Sequence, residues 1–174
     1  MLTVITPAVA EPVTVEDVKA HLRVTHAADD ALIATQITAA REHVEAFTGL
    51  ALVAATYSWQ PSAQGYAGWR TDLPLLPATV TEVSYYDGGA RVVADAADYR
   101  WDSLRGALTL GEWREPSVLF TTAPGYVPEA LKSAIKLMVA DLYENTEATI
   151  TGTIVARHPA MDMLMWPYRR NIGV

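Results

Sequence analysis

Residues 29–48 read DDALIATQITAAREHVEAFT and show the clearest periodicity in the chain. The apolar positions follow one another at steps of four and three, which places them on one face of a helix with about 3.6 residues per turn: Ile33, Ile37, Ala40, Val44 and Phe47. The opposite face carries polar side chains: Thr35, Thr38, Arg41, Glu42 and Glu45. Asp29 or Asp30 can cap the start, and Gly49 is suited to end the helix. The pattern predicts a long amphipathic helix on which the remaining elements pack.

Two elements are predicted before this helix. Residues 1–12 favour an extended arm, because Pro7 and Pro12 oppose helix. Thr14 and Asp17 then have the spacing of a capping box, with Val13 and Val18 placed as a hydrophobic staple. This predicts a first helix over about 15–24, joined by a short link to the long helix as a helical hairpin.

The composition changes after Gly49. Residues 52–123 are rich in Val, Thr, Tyr and Trp and are interrupted by Gly and Pro, which is typical of short strands. Val80–Tyr86 is the best strand, and Asp87-Gly88-Gly89 favours a hairpin turn after it. Pro128 then suits the first turn of another helix, whose predicted apolar stripe is Leu131, Ile135, Met138 and Leu142, widened by Ala134 and Val139.

These elements predict an α+β protein that is mainly α. A helical hairpin and a long C-terminal helix would form a small helical bundle, with an antiparallel β-sheet subdomain inserted between them. The expected divisions are an arm and hairpin over 1–51, the β subdomain over 52–123, the core helix over 124–146, and a loop with a C-terminal docking segment over 147–174.

Composition excludes several classes of protein. The chain has 174 residues, of which 51% are hydrophobic and 19% are charged, so it is long and apolar enough to fold as a domain. It lacks the run of about 18 apolar residues that a membrane span needs, and its first residues lack the features of a signal peptide. It has no cysteine, and its formal net charge of -7 does not favour gripping a phosphate backbone.

No pattern of catalytic residues stands out. The four histidines, His21, His26, His43 and His158, form no helical pair with one another, and the phosphate-binding and nucleophile motifs are absent. Histidines that lie at the surface or pack in the core explain this spacing without a metal or acid–base site. We therefore expect no enzyme activity, no metal and no cofactor.

The C-terminal residues have a different character. A loop is predicted over 145–158, followed by a short helix that Pro167 ends. Methionine adapts to irregular surfaces, and Trp, Tyr and Arg are favoured at interfaces. We therefore interpret this segment as a docking element that contributes little to the core, with simple packing as the alternative. Its candidate residues are Met161, Met163, Leu164, Met165, Trp166, Tyr168, Arg169 and Arg170.

Taken in order, these pieces resemble one known family. They are PVTVEDVKAHLRV, DDALIATQITAAREHVEAFTGLAL, VTEVSYYDGG with ADYRWD, PGYVPEALKSAIKLMVADLYENTEA and MLMWPYRR. Each piece alone is weak, but the ordered set is similar to the head–tail connector (adaptor) proteins of tailed bacteriophages, which also occur in prophages and gene transfer agents. The resemblance covers nearly the whole chain.

The resemblance implies a structural role. Such proteins form a ring, usually a dodecamer, at the head–tail junction of the particle after synthesis in the bacterial host cytoplasm. They join the portal protein to the tail-completion (stopper) protein and let DNA pass through the lumen without specific binding. In this family the C-terminal segment commonly docks onto the portal, which implies that role for Met161–Arg170. Deleting residues 159–174 would then abolish portal binding and leave the fold intact.

A second hypothesis comes from another class of protein. The inserted sheet could form a small-ligand-binding domain or an enzyme, with Tyr85, Trp101 and Asp102 around a pocket. This hypothesis needs a convergent acid–base or metal-binding set, which the sequence does not display.

Overall fold

The computed structural model describes residues 1–61, 69–111, 113–145 and 159–170. The chain divides into two compact units. Among the described residues, the sheet unit comprises 1–10 and 53–124, and the helical unit comprises 11–52 and 125–170. Each unit is therefore built from segments that are distant in sequence.

The helical unit contains four α-helices and one 3₁₀ turn among the residues described. The helices are α1 (Val15–Leu22), α2 (Asp30–Thr48), α3 (Glu129–Glu144) and α4 (Pro159–Met165), and the 3₁₀ turn follows at Trp166–Tyr168. The predicted long helix is thus found as α2. Gly49 ends it in the left-handed region at a φ of 71°, with its N–H donating to the carbonyl of Glu45.

The start of α1 confirms the predicted capping box. The Asp17 N–H donates to Thr14 Oγ1, and the Thr14 N–H donates to Asp17 Oδ2, both at 3.1 Å. The backbone and side-chain hydrogen bonds with Thr14 lower the pKa of Asp17. Val13 and Val18, which flank the cap, are both buried in the core of the helical unit. Two otherwise unpaired backbone donors are satisfied in this way.

We expect replacement of Thr14 with alanine to lower the free energy of unfolding by about 1 kcal/mol, because the Asp17 N–H loses its acceptor. Thr35→Ala is the matched control, since Thr35 is exposed within α2 and its hydroxyl bonds only to the Ala31 carbonyl of its own helix. Chemical denaturation of both variants measures the difference. Equal stabilities for the two variants would contradict the capping role.

The core of the helical unit joins α2, α3 and α4. Ile33, Ile37, Ala40 and Val44 of α2 are buried as predicted, and Phe47 is partly buried. On α3 the buried face differs from the predicted stripe, because Leu142 is 38% exposed. The fully buried face is shifted from Met138 and Leu142 toward Ala134 and Val139. It consists of Leu131, Ala134, Ile135 and Val139.

Among the described residues, the sheet unit contains eight strands in two antiparallel sheets. The five-stranded sheet has the order β1-β2-β8-β4-β5, and the three-stranded sheet has the order β3-β7-β6. The strands are β1 (Leu2–Thr6), β2 (Thr56–Trp59), β3 (Trp69–Asp72), β4 (Ala78–Asp87), β5 (Ala90–Val93), β6 (Arg100–Asp102), β7 (Ala107–Leu110) and β8 (Arg114–Thr122). Tyr57 and Phe120 stack in the core of this unit, with ring centroids 5.4 Å apart.

The prediction of a mainly α protein is wrong, although α+β is correct. Helices take about 36% and strands about 30% of the described residues. The strands are short, three to ten residues each, and therefore leave weaker periodic signals than α2. In addition, residues 2–6 of the expected arm pair with β2 as strand β1. The five-stranded sheet thus includes residues before the first helix and is not simply an insertion between helices.

Candidate interaction surface at the C-terminal segment

The C-terminal segment, residues 159–170, has one face inside the helical unit and one face outside it. Met165 is completely buried, and three further side chains pack partly buried against the same core: Met161, Leu164 and Tyr168. Met163 and Trp166 point away from this core and are 74% and 63% exposed. The predicted docking residues are therefore divided between an anchor and an exposed surface.

The exposed side forms a shallow groove lined by Asp162, Met163, Trp166 and Pro167. Three of these four side chains are apolar, and the fourth is a carboxylate. Exposed methionine and tryptophan together are unusual for a surface that remains in water, because both bury large apolar areas when they are covered. The groove is thus a candidate contact surface for another protein.

Arg169 and the ring of Phe47 fix the position of Trp166. The rings of Phe47 and Trp166 are tilted by 53° with their centroids 6.4 Å apart. The Arg169 guanidinium carbon lies 5.4 Å from the Trp166 ring centroid and 5.5 Å from that of Phe47. These distances are in the range of cation–π attraction. Trp166 is therefore held by α2, so that less side-chain freedom would be lost on binding.

Arg170 joins the end of the segment to the end of α2. Its N–H donates to the Thr48 carbonyl at 2.8 Å, and its Nη1 donates to the Gly49 carbonyl at 3.0 Å. The last carbonyls of a helix lack partners within the helix and carry partial negative charge. Arg170 satisfies this site on α2 and so has a structural role, whereas the Arg169 side chain lies over the rings of Phe47 and Trp166.

The expectation that the segment contributes little to the core is wrong. Met161, Leu164, Met165 and Tyr168 follow the i, i+3, i+4, i+7 spacing of a helix face, and this face is the one that packs inward. That spacing was available in the sequence. The predicted loop that precedes the segment lies, from residue 146 to 158, outside the described residues. No observation tests the docking assignment itself, which remains a proposal.

A charged cluster on α2 was not predicted. Arg41 Nε donates to Glu11 Oε2 at 2.8 Å, and Arg41 Nη1 donates to Glu45 Oε2 at 2.6 Å. The other Glu45 oxygen accepts the Leu52 N–H at 2.7 Å. The sequence pattern placed Arg41 and Glu45 on the polar face of α2, yet both are buried. The cluster ties the segments before and after α2 to its last turns.

Burial governs the acid–base behaviour of this cluster. Desolvation raises the pKa of Glu45 above its ordinary value of 4.5, against the opposing effects of the Leu52 N–H and of Arg41. For Arg41 desolvation acts to lower the pKa, but the two carboxylates outweigh it and the net pKa is raised. Arg41 is thus charged at every pH of interest and compensates both acids.

The sheet unit does not bring the alternative ligand-binding residues into a common arrangement. Tyr85 lies in β4, where its ring stacks on Trp113 at 4.8 Å with an interplanar angle of 5°. Trp101 and Asp102 lie in β6 of the other sheet. Asp102 Oδ1 accepts the N–H groups of Leu104 and Arg105, both at 3.2 Å, and so stabilises a turn. These contacts give Tyr85 and Asp102 structural explanations.

In the parts of the chain with described positions, no group of three or more His, Asp or Glu side chains is placed to hold a metal ion. None of the helices described there is long and apolar enough to cross a membrane.

Sequence comparison identifies the first part of the chain. Residues 12–70 match the family of phage gp6-like head-tail connector proteins. This match agrees with the resemblance found in the sequence over these residues. The family that it names is described as a head-tail connector, which is a structural part of a phage particle, and this agrees with the expectation that the chain is not an enzyme.

Solved structures match the fold over almost the whole chain. A chain from "Neck of empty GTA particle computed with C6 symmetry" has a TM-score of 0.71 at 23% identity and covers 97% of this chain and 95% of its own length. A chain from "Virion of native gene transfer agent (GTA) particle" has a TM-score of 0.67 at 21% identity, with coverages of 97% and 95%.

A third match comes from "Neck of native GTA particle computed with C12 symmetry", with a TM-score of 0.67 at 24% identity and coverages of 97% and 94%. At these identities the matches establish the fold alone. A comparison with curated protein sequences finds no match.

Proposed function

We propose that this chain is the head–tail adaptor of a tailed phage or a gene transfer agent, and that it lies at the head–tail junction of the particle, where it forms a ring which joins the portal protein to the tail-completion protein. The observation that carries the portal contact is the exposed pair Met163 and Trp166, presented by a segment whose other face is locked into the core. The symmetric neck particles whose chains share this fold support the ring.

The groove has the features of a binding hot spot. Tryptophan and arginine are enriched among the residues that dominate interface energies, and Trp166 and Arg169 are stacked beside each other. Because Met165 and Arg170 fasten the segment on both sides of this pair, the surface exists before the partner arrives. The partner surface that fits it is an apolar pocket with a cation near Asp162.

The charge of the chain suits a passage for DNA. With a formal net charge of -7, the protein would repel rather than retain a phosphate backbone at moderate distances. In the proposed ring, DNA therefore passes through the lumen without specific binding. The function requires neither a membrane nor a cofactor.

Replacing Trp166 with alanine should weaken binding of each copy to the portal ring roughly 30-fold or more, since loss of a hot-spot residue costs about 2 kcal/mol or more. Met163→Ala should weaken it less, because its side chain is smaller and more flexible. Titration of immobilised portal with purified variants measures the dissociation constants. The fold should persist in both variants, as both side chains are largely exposed.

Tyr126→Ala is the matched control for this experiment. Tyr126 is an exposed aromatic residue of the same helical unit, at 77% exposure, and it is not part of the groove. Its replacement should leave portal binding unchanged. Wild-type binding by the Trp166→Ala variant, with the thermal unfolding of all three variants unchanged, would overturn the assignment of the groove as the portal contact.

A further inference from the structure

The two outer strands of the five-stranded sheet are exposed along their whole length. All five residues of β1 and all four residues of β5 are exposed, and several are large and apolar: Leu2, Val4, Ile5, Val92 and Val93. Native proteins protect free sheet edges with charge, proline, bulges or a covering element. On β1 only a register shift after Val4 serves this purpose, since its sequence LTVIT has neither a charge nor a proline.

The hydrogen-bonding groups at both edges point outward. Gln60 N–H donates to the Met1 carbonyl at 2.8 Å, so the alternation of an antiparallel ladder turns the N–H and C=O groups of Leu2 and Val4 away from β2. Likewise, Ala94 N–H donates to the Val83 carbonyl at 2.8 Å, which turns the backbone of Val93 away from β4. Each edge thus offers donors and acceptors to a further strand.

The direction of the strands restricts how two copies can meet. Each of the four pairings in the order β1-β2-β8-β4-β5 is antiparallel, so β1 and β5 run in the same direction at opposite ends of the sheet. A rotation that continues the sheet from one copy to the next therefore brings β5 beside the next β1 in parallel. Such a head-to-tail contact closes into a ring when the rotation from one copy to the next divides a full turn evenly, and a closed ring leaves no edge open.

We propose that β5 of one copy pairs in parallel with β1 of the next, so that the five-stranded sheets continue around the ring. A second copy is the occupant because the two open edges are complementary in direction and in apolar character, whereas an unrelated strand would cover only one of them. The inference rests on the ring in the proposed function, and it assigns the contact between copies to the sheet unit rather than to the C-terminal groove.

Blocking one edge strand at a time tests whether β5 of one copy pairs with β1 of the next. Val4→Lys places a charge on the edge of β1, and Val93→Lys does so on β5, while Val9→Lys adds the same charge at a fully exposed residue outside the strands. Native mass spectrometry with portal should show complete rings for wild type and Val9→Lys, but only partial occupancy for either edge variant. In a mixture of the two edge variants, the unblocked β5 of Val4→Lys should pair with the unblocked β1 of Val93→Lys and give dimers.

Disulfide trapping reads the contact directly, because the chain has no cysteine of its own. We use two double variants, Val4→Cys with Val92→Cys and Val4→Cys with Val93→Cys. Neighbouring residues of a strand point to opposite faces of the sheet, so one of the two variants places both cysteines on the same face. On oxidation one of these combinations should give covalent multimers, both in concentrated free protein and on portal. Val4→Cys with Leu104→Cys should give none, since Leu104 lies 95% exposed in the turn between β6 and β7.

The outcomes separate this inference from the proposed function. Multimers from an edge combination without any portal binding would support the strand pairing and overturn the portal adaptor role. Portal binding by wild type without multimers from either edge combination, or complete rings from Val4→Lys, would overturn the strand pairing alone. Absence of both portal binding and multimers would overturn both.

Discussion

Replacing Arg41 with methionine is expected to lower the free energy of unfolding by about 3–5 kcal/mol at pH 7, the cost of removing one partner from a buried ion pair. The Arg41 side chain is 7% exposed and that of Glu45 is 4% exposed, so Glu45 would be left as a buried carboxylate without a cation. Glu11 would lose the same partner. Methionine keeps most of the volume, which confines the loss to the charge and its hydrogen bonds.

The pH dependence of this loss identifies its cause. Burial raises the pKa of Glu45, so the folded state prefers the protonated acid. Stability from this group is fully present below its ordinary pKa of 4.5 and is lost as pH rises through the raised pKa. Without Arg41 that pKa rises further. The destabilisation should therefore be smaller at pH 4.5 than at pH 7, as measured by urea unfolding of the variant and wild type at both values.

Glu42→Gln is the control for the Arg41 experiment. Glu42 lies 3.6 Å from Arg41 Nη2, but its side chain is 59% exposed. Exposed ion pairs contribute only about 0–1 kcal/mol. If both variants lost a similarly small free energy of unfolding, and the loss were the same at both pH values, Arg41 would not compensate a buried charge on Glu45.

Replacing Met165 with alanine is expected to lower the free energy of unfolding of the helical unit by about 2–5 kcal/mol, the range for deleting a buried large side chain. Met165 is fully buried in the core formed with α2 and α3. Met163→Ala, two residues earlier in the same helix, should change stability by less than about 0.5 kcal/mol, because its side chain is largely exposed. Denaturant unfolding of the two variants gives the comparison.

This pair of variants also decides how the docking segment can be studied. Since Met165 and Arg170 belong to the structure of the helical unit, deleting residues 159–174 should destabilise the fold as well as remove the groove. We therefore no longer expect the truncated protein to keep its fold. Point substitutions in the groove test the docking role instead. Equal stability of Met165→Ala and wild type would restore the truncation as a valid test and contradict the inward face of the segment.

The parts of the fold that depend on local sequence were predictable. The capping box at Thr14 and Asp17 needs only residues three positions apart, and α2 carries its own periodicity and its own terminal glycine. The anchor at Met165 was also visible as a helical spacing, but the abundance of methionine directed the interpretation toward docking, with packing only as the alternative.

The parts that depend on distant residues were not predictable. The partner of β1 is 50 to 57 residues away along the chain, because Thr6 pairs with Thr56 and Leu2 with Trp59. Arg41 looks exposed on a helical projection and is buried only because Glu11 and Leu52 approach it from outside α2. Both features arise when separate segments meet, which a single periodic pattern does not encode.

The portal contact is the central claim, and native mass spectrometry tests it most directly. The purified chain is measured alone and after mixing with the portal ring of the same particle, over a range of salt concentrations. We predict a complex in which the chain adds to the portal in a symmetric multiple, and loss of that complex in the Trp166→Ala variant. A portal ring that stays free of the wild-type chain at every salt concentration would contradict the adaptor function.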